Sequence, residues 1–234
     1  MIATLVNTMT VLCGSLLGIL LRNQLKPELQ NAVIKALGLC TVLIGVSSAI
    51  KTEAPLCVIL SMALGTVLGE WIGIDDALEK AGDGIKSKVM KIGSGNSRFT
   101  EGFVSACILF CIGSMTIMGC LEAGINHNYS IIFAKSTLDF FSSMAFAAAM
   151  GIGVTFSAVF VLVFQGLLTL LASAVGPALS AEVVNEMSAV GGVMLIGLGL
   201  NMLGIAKNEE RIKVANMLPA ILLPFLYFLI VSLF

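Results

Sequence analysis

The sequence predicts an all-α integral membrane protein of about eight transmembrane helices, built as a 3+3 inverted-topology repeat with two intervening helices. Three observations lead there. Of 234 residues, 58% are hydrophobic and only 12% charged, with a mean hydropathy of +1.03; a soluble domain carries roughly a quarter charged residues. The apolar residues gather in runs of about 20, the length that crosses a hydrocarbon core. The chain also matches itself at a fixed offset, in polar residues as well as glycines.

Eight spans follow from the runs: 2–21, 30–50, 55–73, 101–121, 130–149, 152–175, 184–205 and 212–233. In the first, no cation precedes the apolar stretch and Arg22 follows it, so the segment reads as a retained helix rather than a cleaved signal. Pro55 opens the third run as a helix-initiating proline. The fifth and sixth runs are separated only by Gly151-Ile152-Gly153 and read as two helices, because 130–175 is twice one span. Pro219 and Pro224 remove two backbone donors from the last run, which predicts a kink or break.

The long polar stretch Ile74–Thr100 places Ile74, Leu78, Ala81, Ile85, Val89 and Ile92 on one helical face with lysines opposite. This is the pattern of a helix lying in the headgroup plane, with a solvated linker helix as the alternative. With that stretch on the cytoplasmic side, eleven of the thirteen Lys and Arg residues lie at cytoplasmic ends, and only Lys51 and Lys135 lie outside. Both termini are then expected outside the cytoplasm.

An offset of 154 residues superposes Leu25 on Leu179, Glu28 on Glu182, Asn31 on Asn185, Gly38 on Gly192 and Gly45 on Gly199. The units become 1–73 (first three-helix repeat), 74–100 (cytoplasmic amphipathic linker), 101–150 (two connecting helices) and 151–234 (second, inverted repeat). Five spans separate equivalent elements, so the repeats cross in opposite directions. The loops agree: Arg22 and Lys26 lie in the first repeat's loop, while Gly176–Glu182 has neither Lys nor Arg. Inverted repeats are a common basis of alternating access in secondary transporters.

Polar groups inside the hydrocarbon region are costly and mark candidate function. Lys135 and Asp139, at i and i+4 in the fifth span, share a helical face. They read as a site where a ligand or a proton on Asp139 breaks the pair, or as a structural ion pair with Lys135 reaching outward. Asn31 and Asn185, repeat mates, either frame a shared pathway or cap their own helices. Gln165, Asn201 and Asn216 are further candidate lining residues.

Gly14 and Gly18, Gly65 and Gly69, and Gly191, Gly192, Gly197 and Gly199 form smooth faces for close packing, within the chain or in a homo-oligomer.

Other chemistries find little footing. The six cysteines lie in apolar runs without a C-x-x-C pair, and the Cys107, Cys111, Met115 stripe reads as core rather than a Cu(I) path. No H-E-x-x-H motif is present, His127 lies in a loop, and Asp139 has no second aspartate within a span. The expectation is no enzyme, cofactor or bound metal. A net charge of −1 offers no surface for nucleic acid, leaving membrane lipids and a small solute or ion as partners.

Several local patterns combine along the chain: Gly65-x-x-x-Gly69-Glu70, Lys135-x-x-x-Asp139, Gly151-x-Gly153-Val154, Gln165-Gly166, Asn185-Glu186 before Val190-Gly191-Gly192, Gly199-x-Asn201 and Asn216-x-x-Pro219. Over essentially its full length the sequence resembles the bacterial multi-pass membrane family catalogued as domain of unknown function 554. The resemblance implies a bacterial plasma-membrane protein and brings no substrate or site residue with it. From the residues, the leading expectation is a secondary transporter of a small solute or ion, with an ion channel or a non-transporting scaffold or lipid-binding protein as alternatives.

Overall fold

The structure is a computed structural model that describes residues 1–22, 24, 26–89, 98–112, 114–175, 179–206 and 210–231. Residues 90–97 of the polar stretch, including Lys91 and Ile92, fall outside those residues, as do Leu25, Gly176 and Lys207. The described chain is helical, with no strand among the described residues. Its elements are α1 (Ile2–Arg22), α2 (Pro27–Ala49), α3 (Pro55–Ile72), α4 (Ile74–Val89), α5 (Phe99–Cys111), α6 (Ser114–Ile125), α7 (Ser130–Met150), α8 (Gly153–Val175) and α9 (Ala181–Leu203). A 3₁₀ segment (Val214–Leu222) and α10 (Leu223–Val231) follow.

Seven of the described segments are long and apolar enough to cross a membrane, counting the 3₁₀ segment with α10, and α5 with α6 makes an eighth if taken as one span. That fourth span differs from the single helix expected over 101–121. Ile112 adopts extended backbone after α5, and Phe99–Cys111 is bent by 57° from Met115–Ile125. The break releases backbone carbonyls, and the buried Thr116 hydroxyl donates to the Phe110 carbonyl at 3.2 Å. In the last span the chain tightens into the 3₁₀ segment around Pro219 and returns to α-helix at Leu223, the break that the prolines predict.

Helix directions can be read from glycine contacts. A Cβ on Gly14 would strike Phe140 and Ser143 of α7, and one on Gly18 would strike Met144 and Ala147, so α1 and α7 run parallel. The Arg22 guanidinium donates to the Ala149 carbonyl at 3.0 Å, tying their C-terminal ends together. Parallel α1 and α7 require an odd number of crossings between them. With α2 and α3 each crossing once, α5 and α6 cross together as one bent span.

α2 and α9 run antiparallel and back to back. A Cβ on Gly45 would lie 2.6 Å from the Gly192 carbonyl oxygen, and one on Gly192 would lie 2.6 Å from the Gly45 carbonyl oxygen. One on Gly199 would lie 2.7 Å from the Gly38 carbonyl oxygen. Hydrogen is the only substituent these positions hold without moving backbone. Gly65 and Gly69 of α3 meet Ala220 and Asn216 of the 3₁₀ segment in the same manner.

α9 is the most buried of the spans, and Val190, Met194 and Leu198 belong to the main apolar core with Phe99, Phe110, Phe146 and Met150. The outer surfaces of α1, α2 and α3 expose Leu20, Leu39, Leu43, Leu60 and Val67, as expected of side chains that face lipid. α4 is amphipathic, and its apolar residues Ile74, Leu78 and Ile85 pack against this core. Part of the face expected to lie on a lipid surface is therefore spent on protein.

Candidate functional site

Chain direction defines two ends of the bundle. One end carries the start of α2, the turn into α4, the end of α9 and Ile212; the other carries Lys51 and the start of α9. A buried polar cluster lies toward the second end, between α1, α7 and α8. Lys135 donates to Asp139 Oδ2 one turn along α7, and the Asn7 amide of α1 donates to the same oxygen at 3.0 Å. The Asn7 Nδ2 group also donates to Gln165 Oε1 of α8 at 3.2 Å. Thr4 and Thr169 share a hydroxyl contact at 3.3 Å one turn further out.

All four central side chains are buried, and Asn7 and Gln165 are 0% exposed. Because a carboxylate only accepts, the Asn7 atom facing Asp139 must be its amide nitrogen, so Gln165 faces that nitrogen with its oxygen. Among the described residues, Asn7 Oδ1 and Gln165 Nε2 are then left without a protein partner. At 1.5 Å per residue the cluster lies roughly 8 to 15 Å from the ends of its three helices, between one surface and the midplane.

The opposite end holds a cavity of about 650 Å³. Its mouth is charged: Lys35, Arg98 and Arg211 face Asp75, Glu79 and Glu101. Arg211 pairs with Asp75, and with Glu79 at 2.6 Å, while Arg98 donates to Asn31 at 2.8 Å. Its floor is Ser105 and Ile108 of α5 with Leu198 and Met202 of α9. Cys111, one turn beyond Ile108, is the last residue of α5 before the break in the span.

The structure thus brings together Lys135, Asp139 and Gln165. The other four named residues lie elsewhere. Neither Asn31 nor Asn185 caps its helix: α2 begins after Lys26, and α9 is capped by Ser180, whose hydroxyl accepts from Val183 N at 3.3 Å. Asn31 lines the cavity, and Asn185 donates to the Lys51 carbonyl at 2.7 Å. Asn201 brackets Ile212, giving its amide to the carbonyl at 2.8 Å and accepting from the N–H at 3.1 Å. Asn216 Oδ1 accepts from Asp75 N at 2.6 Å and holds the start of α4.

Two residues escape the sequence reading. Asn7 is the amide in the first apolar run, and by the rule that buried polar groups mark function it was visible there. Glu186, 1% exposed, receives Glu53 N at 2.8 Å, Ala54 N at 3.3 Å and the Thr52 hydroxyl, tying α9 to the turn before α3. Its signal was a second carboxylate, after Glu182, one turn further into α9 and ahead of its long apolar and glycine-rich run.

The fold and its buried cluster define a multi-pass α-helical membrane protein. The chain belongs to the family described as "Protein of unknown function (DUF554)", whose model matches residues 2–229. It is 30% identical over 228 residues to "Uncharacterized membrane protein YdfK" of Bacillus subtilis, covering 96% of this chain and 94% of that protein. It is 31% identical over 226 residues to "Uncharacterized protein YqgA" of Escherichia coli, covering 95% and 94%. No solved structure matches.

Proposed function

We propose that this protein is a secondary transporter of a small solute or ion, working by alternating access between inverted repeats in the bacterial plasma membrane. The observation that carries the reading is a buried charged cluster toward one end of the bundle together with a charged cavity at the other, part of whose lining α5 supplies just before the span breaks. Broken spans beside midplane sites are the usual way membrane proteins expose backbone and side chains to cargo. Lys135 and Asp139 form the binding or coupling pair, with Gln165 beside them, and Asn31, Asn201 and Asn216 lie around the cavity and its supports.

The repeat gains support from the packing of its own matched residues. Offset mates are Gly38 with Gly192 and Gly45 with Gly199. The contacts join Gly38 to Gly199 and Gly45 to Gly192, so exchanging mates returns the same two contacts, as an axis in the membrane plane requires. α1 against α8 and α3 against the 3₁₀ segment are likewise offset mates in contact. The cation distribution supports a cytoplasmic position for the cavity and an outside position for both termini.

Purified protein in liposomes, assayed for solute and proton flux, tests the proposal. Saturable, gradient-coupled flux that falls at least about tenfold in Asp139→Asn is the expected result. Equal leak through wild type and Asp139→Asn would remove the pair from the mechanism, and non-saturating flux would make the protein a channel.

A further inference from the structure

We propose that Asp139, Asn7 and Gln165 form a site for a small monovalent metal cation of about sodium's size, which takes the place of the Lys135 ammonium at the Asp139 carboxylate. The inference deepens the transport reading and rests on it for the consequence that the cation is cargo or coupling ion. The binding site itself stands on geometry alone.

Charge is the first argument. The cluster offers one carboxylate, and it is balanced by one ammonium. A monovalent cation that replaced the ammonium would leave the buried charge balanced, whereas a divalent ion would leave an excess that a low-dielectric site penalises. Among the described residues no three His, Cys, Asp or Glu side chains converge, so the donor set is not that of a tight divalent or transition-metal site.

The donors themselves are hard oxygens. Asp139 supplies its carboxylate, Gln165 its Oε1, and Asn7 the Oδ1 that no protein group partners. A half-turn of the Asn7 amide exchanges its nitrogen for that oxygen at the carboxylate. This exchange is unfavourable while Asp139 needs a donor and favourable once a metal ion lies between them. The burial of all four side chains keeps the site out of bulk solvent, so the ion would be held by protein oxygens.

Lys135 has somewhere to go. It lies five residues inside the start of α7, about 8 Å along the axis, and a lysine stem is long enough to carry its head group toward that end. The side chain is therefore a tethered competitor: it fills the site when the cation is absent and withdraws when the cation binds.

Equilibrium binding of ²²Na⁺ to the purified full-length protein in detergent tests this, at constant ionic strength with choline as the inert cation. The expected result is saturable binding displaced by Li⁺ and not by choline, with affinity raised about tenfold or more in Lys135→Ala, where the competitor is gone, and binding abolished in Asp139→Asn. Size-exclusion profiles check that each variant is folded; should Asp139→Asn not fold, the affinity gain in Lys135→Ala decides. Absence of saturable binding in both wild type and Lys135→Ala, equal affinity in the two, or undiminished binding in folded Asp139→Asn overturns the proposal. Sodium-independent solute flux in liposomes would overturn the cargo or coupling role of the cation and leave transport standing, while sodium binding without any flux would overturn transport and leave the site standing.

Discussion

Two buried carboxylates, Glu186 and Asp139, lie toward the same end of the bundle and are held in opposite ways. Glu186 is gripped by the backbone: two successive N–H groups and the neighbouring Thr52 hydroxyl converge on it from one turn. Such donors are fixed by the chain path and leave only if the fold opens there. Asp139 is gripped by side chains, a flexible lysine and an amide from another helix, each with torsions that let it depart. Burial alone does not mark a working group. The mobility of its partners separates a carboxylate that builds the structure from one that can exchange partners.

The sharpest way to break this comparison is Glu186→Ala, which should cost about 3 kcal/mol because several buried donors lose their acceptor together. A lowered unfolding midpoint in detergent, with residual flux in proportion to folded protein, is the expected outcome. Gly45→Val should follow at about 1–3 kcal/mol, since its Cβ meets the Gly192 carbonyl oxygen at 2.6 Å. It tests whether helix contact contributes as much to this half of the molecule as the carboxylate does.

Asn216→Ala removes a neutral acceptor for one N–H at the other end and should cost about 1 kcal/mol. Faster proteolysis within α4 would report it, and the ratio to Glu186→Ala measures what charge adds to such a clamp. Smallest is the paired substitution Lys135→Met with Asp139→Leu, expected to change stability by less than about 1 kcal/mol in either direction because both buried charges leave together. The same protein should carry no coupled flux. A large loss of stability there would turn the pair into a second structural clamp.

How much of this was legible in the sequence depends on how far each signal reaches. The spans, the proline break and the amphipathic face of α4 come from hydropathy and period, which are local properties. Lys135 and Asp139 are four residues apart on one helix and could be paired by spacing alone. Asn7 lies 132 residues from Asp139 and 158 from Gln165, and no local pattern announces such a meeting. The bend between α5 and α6 was hidden for a different reason: Cys111 and Ser114 flank it without a proline, and the composition remains apolar across it. Asn31 and Asn185 have the residue type of a cap but not the place of one, because each lies a turn or more inside its helix.

The glycine contact between α2 and α9 also sets an order of events during synthesis. Gly192 leaves the ribosome about 150 residues after Gly45, a delay of roughly 7 to 30 s at ordinary elongation rates. Throughout it α2 must remain in the bilayer with its glycine groove facing lipid or an insertion factor. The N-terminal helices therefore present an unfinished surface until α9 arrives, and a ribosome stalled before α9 should leave a chain that is inserted yet readily extracted or degraded.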